Sequence, residues 1–442
     1  MKKTALRSLI ALSAAAALLA GCSSGGGSDN ETTPSGTETT AGDDSGALEP
    51  ATLVVWHNNT TGKGPQFWDD TVAAWNELHP EVTIELQPVQ NEDLDGKLQT
   101  ALNGGDAPDV FLQRGGGKLR DMVDAGFVLD ITDDIDAPGI PEGAFGGDTY
   151  QGRIYAMPTT ILPGGLFYSK DLFAQAGITE TPVTLDEFND AVAKLKAAGI
   201  QPIALGAKDA WPAAHWYYWF ALRECSAETL EAAGANQDLS DPCFLKAGQD
   251  LADFAATEPF NAGFLTTPAQ QGAGSSAGLV ANHQAAMELM GAWDPGVIGS
   301  LTPDGENLPD LGFFPFPTVE GGEGDQTAMM AGMDAFSCSS QAPKEQCIAF
   351  LNFLATKEIQ EGYATAMSAP PANSEAAGVV TEPSLIDVVN AYEKAGFVSL
   401  WLDTILGQNV GNALNTGVVD MLAGKTDPAG IIAAVETAVA KG

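Results

Sequence analysis

The chain has 442 residues, 44% of them apolar and 18% charged. A single hydrophobic core stops growing at about 250–300 residues, so two lobes or domains are expected. Lysine and arginine number 20 against 58 aspartates and glutamates, a formal charge of −38. Clustered cations are needed for counterion release, so this balance excludes a nucleic-acid-binding role.

Lys2, Lys3 and Arg7 precede an apolar run over residues 9–20 that closes on Leu19-Ala20-Gly21-Cys22. A basic start, a short apolar stretch and small residues at the cut make residues 1–21 a secretory signal. The run is too short to span a bilayer, which takes about 20 residues. Its ending resembles the bacterial lipobox, which implies cleavage before Cys22 and lipidation of that thiol. Residues 22–50 are rich in Ser, Gly, Thr and acids and read as a lipid-anchored flexible tether with a span of about 30 Å. The expected location is the extracytoplasmic face of a bacterial membrane. Four cysteines remain, Cys225, Cys243, Cys338 and Cys347, and outside the cell an even number points to disulfides. Three pairings are open. The local pairs Cys225–Cys243 and Cys338–Cys347 are favoured because each closes a short loop. No C-x-x-C spacing occurs and the chain has four histidines, so a structural zinc site is not expected; no phosphate loop or His-rich cluster appears, and no metal or cofactor is expected.

The folded part opens with a buried-strand pattern over 52–56, polar residues to 64, and a helix from Pro65 with Phe67, Trp68, Val72, Trp75 and Leu78 on its apolar face. Val82, Ile84 and Leu86 alternate as a second strand. Asn91 starts a helix with Leu94, Leu98 and Leu102 inward, and 108–112 is a third strand followed by a turn over 113–117. Strands alternating with helices form a parallel α/β layer, whose ligands sit beyond the carboxyl ends of the strands. That puts 58–61 and 113–115 at a binding edge. Further strands are expected at 155–158, 165–168, 202–205 and 286–290, and helices at 185–198, 343–360 and 403–440. The aromatic-rich stretch 211–219 begins in a loop at Trp211-Pro212.

Asp106-Ala-Pro-Asp-Val-Phe111, Tyr168-Ser-Lys-Asp-Leu-Phe173, Thr184-Leu-Asp-Glu-Phe188, Ala286-Met-Glu-Leu-Met-Gly-Ala-Trp293 and the helix at Trp401 follow one another in an order that resembles the family 1 extracellular solute-binding proteins of ABC transporters. The resemblance runs from about residue 51 to the C-terminus. It implies a two-lobed, periplasmic-binding-protein-like α/β fold with hinge strands and a ligand cleft between the lobes. One lobe would comprise 51–157 plus 318–369, the other 158–317 plus 370–442. Hinge strands are expected near 155–158 and 313–317, with a third crossing near 369–371.

A pyranose presents an apolar C–H face that rests on an aromatic ring, while an indole N–H can donate to it. Trp211, Trp216, Trp293 and Trp401 are the candidate platforms. Trp293 follows a Gly at a strand end and precedes Asp294-Pro295, a loop position, and it and Trp401 match cleft tryptophans of the family. Trp56, Trp68, Trp75 and Trp219 are expected in cores. Sugar hydroxyls need donors and acceptors, for which Asn58, Asn59, Thr60, Gln113, Arg114, Asp209 and Asp294 have the right chemistry.

Two other motifs lead nowhere. Residues 91–96 resemble the start of an EF-hand loop, but its twelfth position is Leu102 rather than a bidentate Glu. Residues 274–278 match G-x-S-x-G without the preceding strand that a nucleophile elbow requires. The expected function is therefore binding: a monomeric, lipid-anchored receptor that captures a mono- or oligosaccharide and delivers it to the transmembrane subunits of an ABC permease. A secreted carbohydrate-active enzyme and a sugar-sensing binding protein are the alternatives.

Overall fold

A computed structural model describes residues 48–441. The signal, Cys22 and the tether up to residue 47 lie outside the described residues. Leu48 and Glu49, expected in the tether, are tied to the fold: the Leu48 amide donates to Glu81 Oε1 (3.1 Å) and the Glu49 carbonyl accepts from Gln346 Nε2 (2.9 Å). Among the described residues no helix is long and apolar enough to cross a membrane.

The first third follows the alternation in the sequence. Strand β1 (Ala51–His57) buries Leu53 and Val55. Helix α1 (Gly64–Leu78) carries Pro65 in its first turn, where the missing N–H costs nothing, and buries Phe67, Trp68 and Trp75. Strand β2 (Val82–Pro88) alternates. Helix α2 (Asn91–Gly104) buries Leu94, Leu98 and Leu102 and stops at Gly105, whose φ of 74° suits glycine. The EF-hand-like stretch is thus helix, with Leu102 in the core. Strand β3 (Val110–Gln113) leads through Gly115 into α3 (Gly116–Asp124). β1 pairs in parallel with both β2 and β3, so the turns after β1 and β3 share one edge.

The remaining elements that shape the site are β4 (Met157–Ser169), α4 (Leu185–Ala197), α5 (Trp211–Glu224), β5 (Met287–Gly291), α6 (Asp294–Leu301), β6 (Leu311–Phe314), β7 (Met329–Cys338), α7 (Lys344–Leu354), α8 (Lys357–Met367), β8 (Val398–Leu400), α9 (Leu402–Leu406) and α10 (Gln408–Leu422). The strands form one sheet in the order β2-β1-β3-β7-β4-β5, with β8 beside β7 and β6 beside β4. The first half of β4 pairs antiparallel with β7, from Met157 opposite Phe336 to Pro163 opposite Ala331; its second half pairs with β5 and β6.

Two large apolar clusters lie on either side of this exchange. One gathers Leu53, Trp68, Trp75, Val110, Met157, Phe336 and Phe350. The other gathers Phe167, Phe188, Trp216, Leu251, Met329, Met330 and Leu414. β4 and β7 each contribute to both, so they are the strands that cross between the lobes. This corrects the expected hinges. The strands expected at 155–158 and 165–168 are one continuous element, because Pro163 and Gly164 fall inside β4 without breaking it. The second crossing is β7. Residues 313–317 instead supply β6, whose partner is the second-lobe half of β4. Pro371 makes an isolated bridge to Thr160.

Two further expectations change. No strand forms at 202–205, where only Ile203 makes isolated bridges to Phe260 and Met287. Trp211 opens α5 rather than sitting in a loop, with Pro212 in the first turn and every residue from Pro212 to Glu224 buried. A helix enclosed on all sides has no amphipathic period to read. Both local disulfides are present, Cys225–Cys243 and Cys338–Cys347, with Cα separations of 5.2 and 6.1 Å.

Candidate ligand-binding cleft

A cavity of about 700 Å³ opens between the two clusters. One wall carries Asn58 and Asn59 from the turn after β1, Asn91, Glu92 and Asp95 from α2, and Arg114 and Lys118 beyond β3. The facing wall carries Asp209, Trp211, His215, Trp293 and Trp401, and Gly332 to Asp334 of β7 form part of the floor. Polar pairs cross its rim. Gln271 Nε2 donates to Gln90 Oε1 (2.9 Å) and to Glu92 Oε2 (3.2 Å), and Lys63 Nζ lies 4.0 Å from Glu306. The described lobes are thus in contact over the cleft.

Seven of the eleven candidate residues lie on this cavity: Asn58, Asn59, Arg114, Asp209, Trp211, Trp293 and Trp401. Asn58 Nδ2 donates to Asn91 Oδ1 (3.1 Å), and Asn59 Oδ1 accepts from Trp68 Nε1 (2.9 Å). Asp209 Oδ2 accepts from the Ala269 amide (2.7 Å). The other four lie off the wall. Thr60 leaves it to its neighbours Thr61 and Gly62. Gln113 is buried behind it, donating to Asp148 Oδ1 (2.7 Å) and accepting from the Gly115 amide (2.5 Å), so it fixes the turn rather than offering groups to a ligand. Trp216 is core, stacked on Phe254 at 5.2 Å. It follows Trp211 by five residues, about 140° round the helix, so the two cannot share a face. Asp294 is fully buried against Glu288. Burial, and then the neighbouring carboxyl, push Glu288 far above the usual carboxylate range, because two like charges in contact cannot both ionise.

The aromatic wall is a connected group. The ring of Trp293 meets those of Trp211 and Trp401 edge-on at 6.0 and 6.1 Å, and His215 stacks on Trp401 at 4.2 Å with 14° between planes. His215 escapes the aromatic reading of the sequence, yet it stands four residues after Trp211, the spacing that puts two side chains on one helix face. Burial lowers its imidazole pKa to about 4 against the pull of Asp403, so it is neutral at pH 7. Ala210, just before Trp211, holds a φ of 62°, a conformation that costs a residue with a side chain about 1–3 kcal/mol and is tied to the placement of α5.

Of the charges on the opposite wall the sequence reading named only Arg114 and missed its partners and Lys118. Arg114 Nη1 contacts Asp334 Oδ1 (2.6 Å) and Nη2 donates to Asn91 Oδ1 (2.5 Å). Lys118 Nζ contacts Asp95 (2.8 Å) and Asp403 (3.6 Å). Burial works to raise the Asp95 carboxyl, but Lys118 and Arg114 hold it below its ordinary value. Both of these cations are already paired with carboxylates, so neither stands free for an anionic ligand. The Ser276 hydroxyl of the G-x-S-x-G match is buried and donates to the Ala269 carbonyl (3.0 Å), away from the cleft lining. Among the described residues Asp171, His283 and Asp310 bring three potential metal-ligating atoms within 4.8 Å. None lines the cavity, and His283 with Asp310 at 3.1 Å is an ordinary surface pair.

Comparison with known proteins agrees with this geometry. The chain is 25% identical to the diacetylchitobiose binding protein DasA of Streptomyces coelicolor over 351 residues, covering 76% of each chain. It is 28% identical to a putative binding protein of Brucella abortus over 203 residues, 44% of this chain, and spans about half the length of that relative. A solved chitin oligosaccharide binding protein superposes with a TM-score of 0.78 at 24% identity, covering 88% of this chain and 98% of that one; at that identity the likeness is one of fold. The sequence profile of the bacterial extracellular solute-binding proteins matches residues 58–361, the greater part of the chain. With its two lobes, crossing strands and interlobe cavity, the chain belongs to that family.

Proposed function

We propose that this protein is the sugar-capturing component of an ABC importer. It is held at the outer face of the membrane by lipid on Cys22, works as a monomer, and hands a mono- or oligosaccharide to the permease. The observation that carries this reading is the wall of Trp211, Trp293 and Trp401 facing polar side chains across about 700 Å³, within the range of cavities that enclose small ligands. Sugar C–H faces rest on the indoles; Asn58, Asn59 and Asp209 meet hydroxyls; Arg114, tied to Asp334, orders the polar wall. The lobes divide at β4 and β7, and ligand touching both walls favours the closed arrangement, the shape that the permease reads. The sugar-binding names among its relatives and the pairing of Arg114 and Lys118 with carboxylates support a neutral glycan.

A thermal-shift panel of diacetylchitobiose, lactose, raffinose, xylobiose and maltose tests this. A ligand at a hundred times its Kd adds about 2.7 kcal/mol of apparent stability, so at least one sugar should raise the melting temperature by several degrees. No shift at millimolar sugar rejects the reading. Chromatography of the recovered sugar separates a receptor from a carbohydrate-active enzyme: the receptor returns it intact.

A further inference from the structure

Three glycines on neighbouring strands lie beneath the aromatic wall: Gly332 on β7, Gly164 on β4 and Gly291 on β5. Gly164 is directly opposite Gly291, and Gly332 is opposite Leu162, two residues before Gly164. None of the three has a positive φ, so backbone conformation does not call for glycine. Strand interiors disfavour the residue unless something must approach closely, and here something does. A Cβ on Gly332 would stand 2.6 Å from Trp401 Nε1, and one on Gly164 would stand 2.5 Å from Trp401 Cη2. A Cβ on Gly291 would collide with the six-membered ring of Trp293, and the Gly332 Cβ would also lie 3.6 Å from Trp293 Cζ3. The Trp401 indole therefore lies across both crossing strands, touching one at its pyrrole edge and the other at its far benzene corner.

The rest of the surroundings fix the ring in this seat. Leu400 pairs with Ala331 of β7, which brings Trp401 alongside Gly332, and His215 stacks on the indole. The next residues form α9, which packs on α3 of the first lobe so closely that a Cβ on Gly117 would strike the Ile405 carbonyl.

We infer that Gly332, Gly164 and Gly291 are positioning residues: they make a floor without side chains that seats Trp401 and Trp293 at the cavity and ties the ring of Trp401 to both crossing strands. The inference rests on the cavity being the ligand site. Phenylalanine lacks both Nε1 and Cη2, the atoms that added methyl groups would strike, so Trp401→Phe is the rescuing change.

The test is a cycle of Gly332→Ala, Trp401→Phe and the double variant, with Gly143→Ala as a control, since nothing lies within 4 Å of a Cβ there. Melting is measured on ligand-free protein and affinity with the sugar panel above. Gly332→Ala should lower the melting temperature in the native background and lose about tenfold or more in Kd; in the Trp401→Phe background it should change neither. The control should match the native protein in both. Equal losses in both backgrounds, or none in either, overturn the inference. If Gly332→Ala does not fold, a folded double variant supports the floor and an unfolded one overturns it. If no sugar of the panel binds the native protein, the sugar-binding reading falls, while the melting cycle still decides the floor.

Discussion

Trp293 and Trp216 separate a ligand platform from a core residue, and replacing each by alanine tests the distinction. Trp216 has no exposed surface and stacks on Phe254 at 5.2 Å and on Phe188 at 6.3 Å. Its removal leaves a cavity in a close-packed core and should cost about 3–5 kcal/mol of folding stability. Trp293 is only half-buried. Its edge-on neighbours at 6.0 and 6.1 Å are worth about 0.5–1.5 kcal/mol each beyond area, so Trp293→Ala should cost less stability than Trp216→Ala. The ranking reverses in binding. Truncating an aromatic anchor costs about 2 kcal/mol or more, roughly thirtyfold in Kd, and this should fall on Trp293→Ala. Urea unfolding and calorimetric titration with a sugar that shifts the melting curve give both quantities on each variant. Native affinity in Trp293→Ala, or a midpoint as low as that of Trp216→Ala, would refute the assignment.

Three other outcomes are expected. Cys22→Ser should release the protein from the membrane fraction with its melting temperature unchanged; a variant that stays membrane-bound contradicts the lipid anchor. Non-reducing peptide mapping should recover Cys225 with Cys243 and Cys338 with Cys347, and reduction should cost about 2–4 kcal/mol for each bond; unchanged urea midpoints after full reduction would contradict a stabilising role. Stability should also fall as pH rises from 7 to 8. Burial pushes the Asp148 carboxyl up to about 8 from an ordinary value of 3.8, so the folded state keeps a proton that the unfolded chain has lost, and stability declines between those values. His57 and His215, lowered by burial to about 4, act in the opposite sense and only below pH 6.5. Asp148→Asn should reduce the slope between pH 7 and 8, by up to about 1.4 kcal/mol per pH unit, leaving the part that the buried Glu288–Asp294 pair supplies, as read by melting across that range; an unchanged slope would show that Asp148 is ionised in the folded protein.

Local pattern carried the first third of the fold. Leu94, Leu98 and Leu102 at four-residue spacing, and the alternation of Val82, Ile84 and Leu86, announce α2 and β2 because each buries one face. The crossing strand β7 has no such signature. All ten residues of Met-Met-Ala-Gly-Met-Asp-Ala-Phe-Ser-Cys are buried, and a strand enclosed on both faces neither alternates nor favours polar positions. The same loss of period hid α5. In the cleft the rings were legible because tryptophan stands out by its chemistry, and the turns after β1 and β3 were legible because parallel sheets place ligands at that edge. The ion pairs were not. Arg114 and Asp334 are 220 residues apart in the chain, and only the return of β7 beside β3 brings them together. Asp294 misled for a related reason: a loop-flanking acid beside Trp293 is indistinguishable in sequence from one facing a ligand, and its contact with the buried Glu288 of β5 shows only in the fold.

A crystal structure with the sugar that most raises the melting temperature tests the cleft itself. The sugar should lie between the two lobes, with a ring face against Trp293 or Trp401 and hydroxyls within hydrogen-bond distance of Asn58, Asn59 or Asp209. A sugar bound outside this cavity, or one bound within it that touches none of the three tryptophans, would overturn the assignment of this cleft as the sugar site.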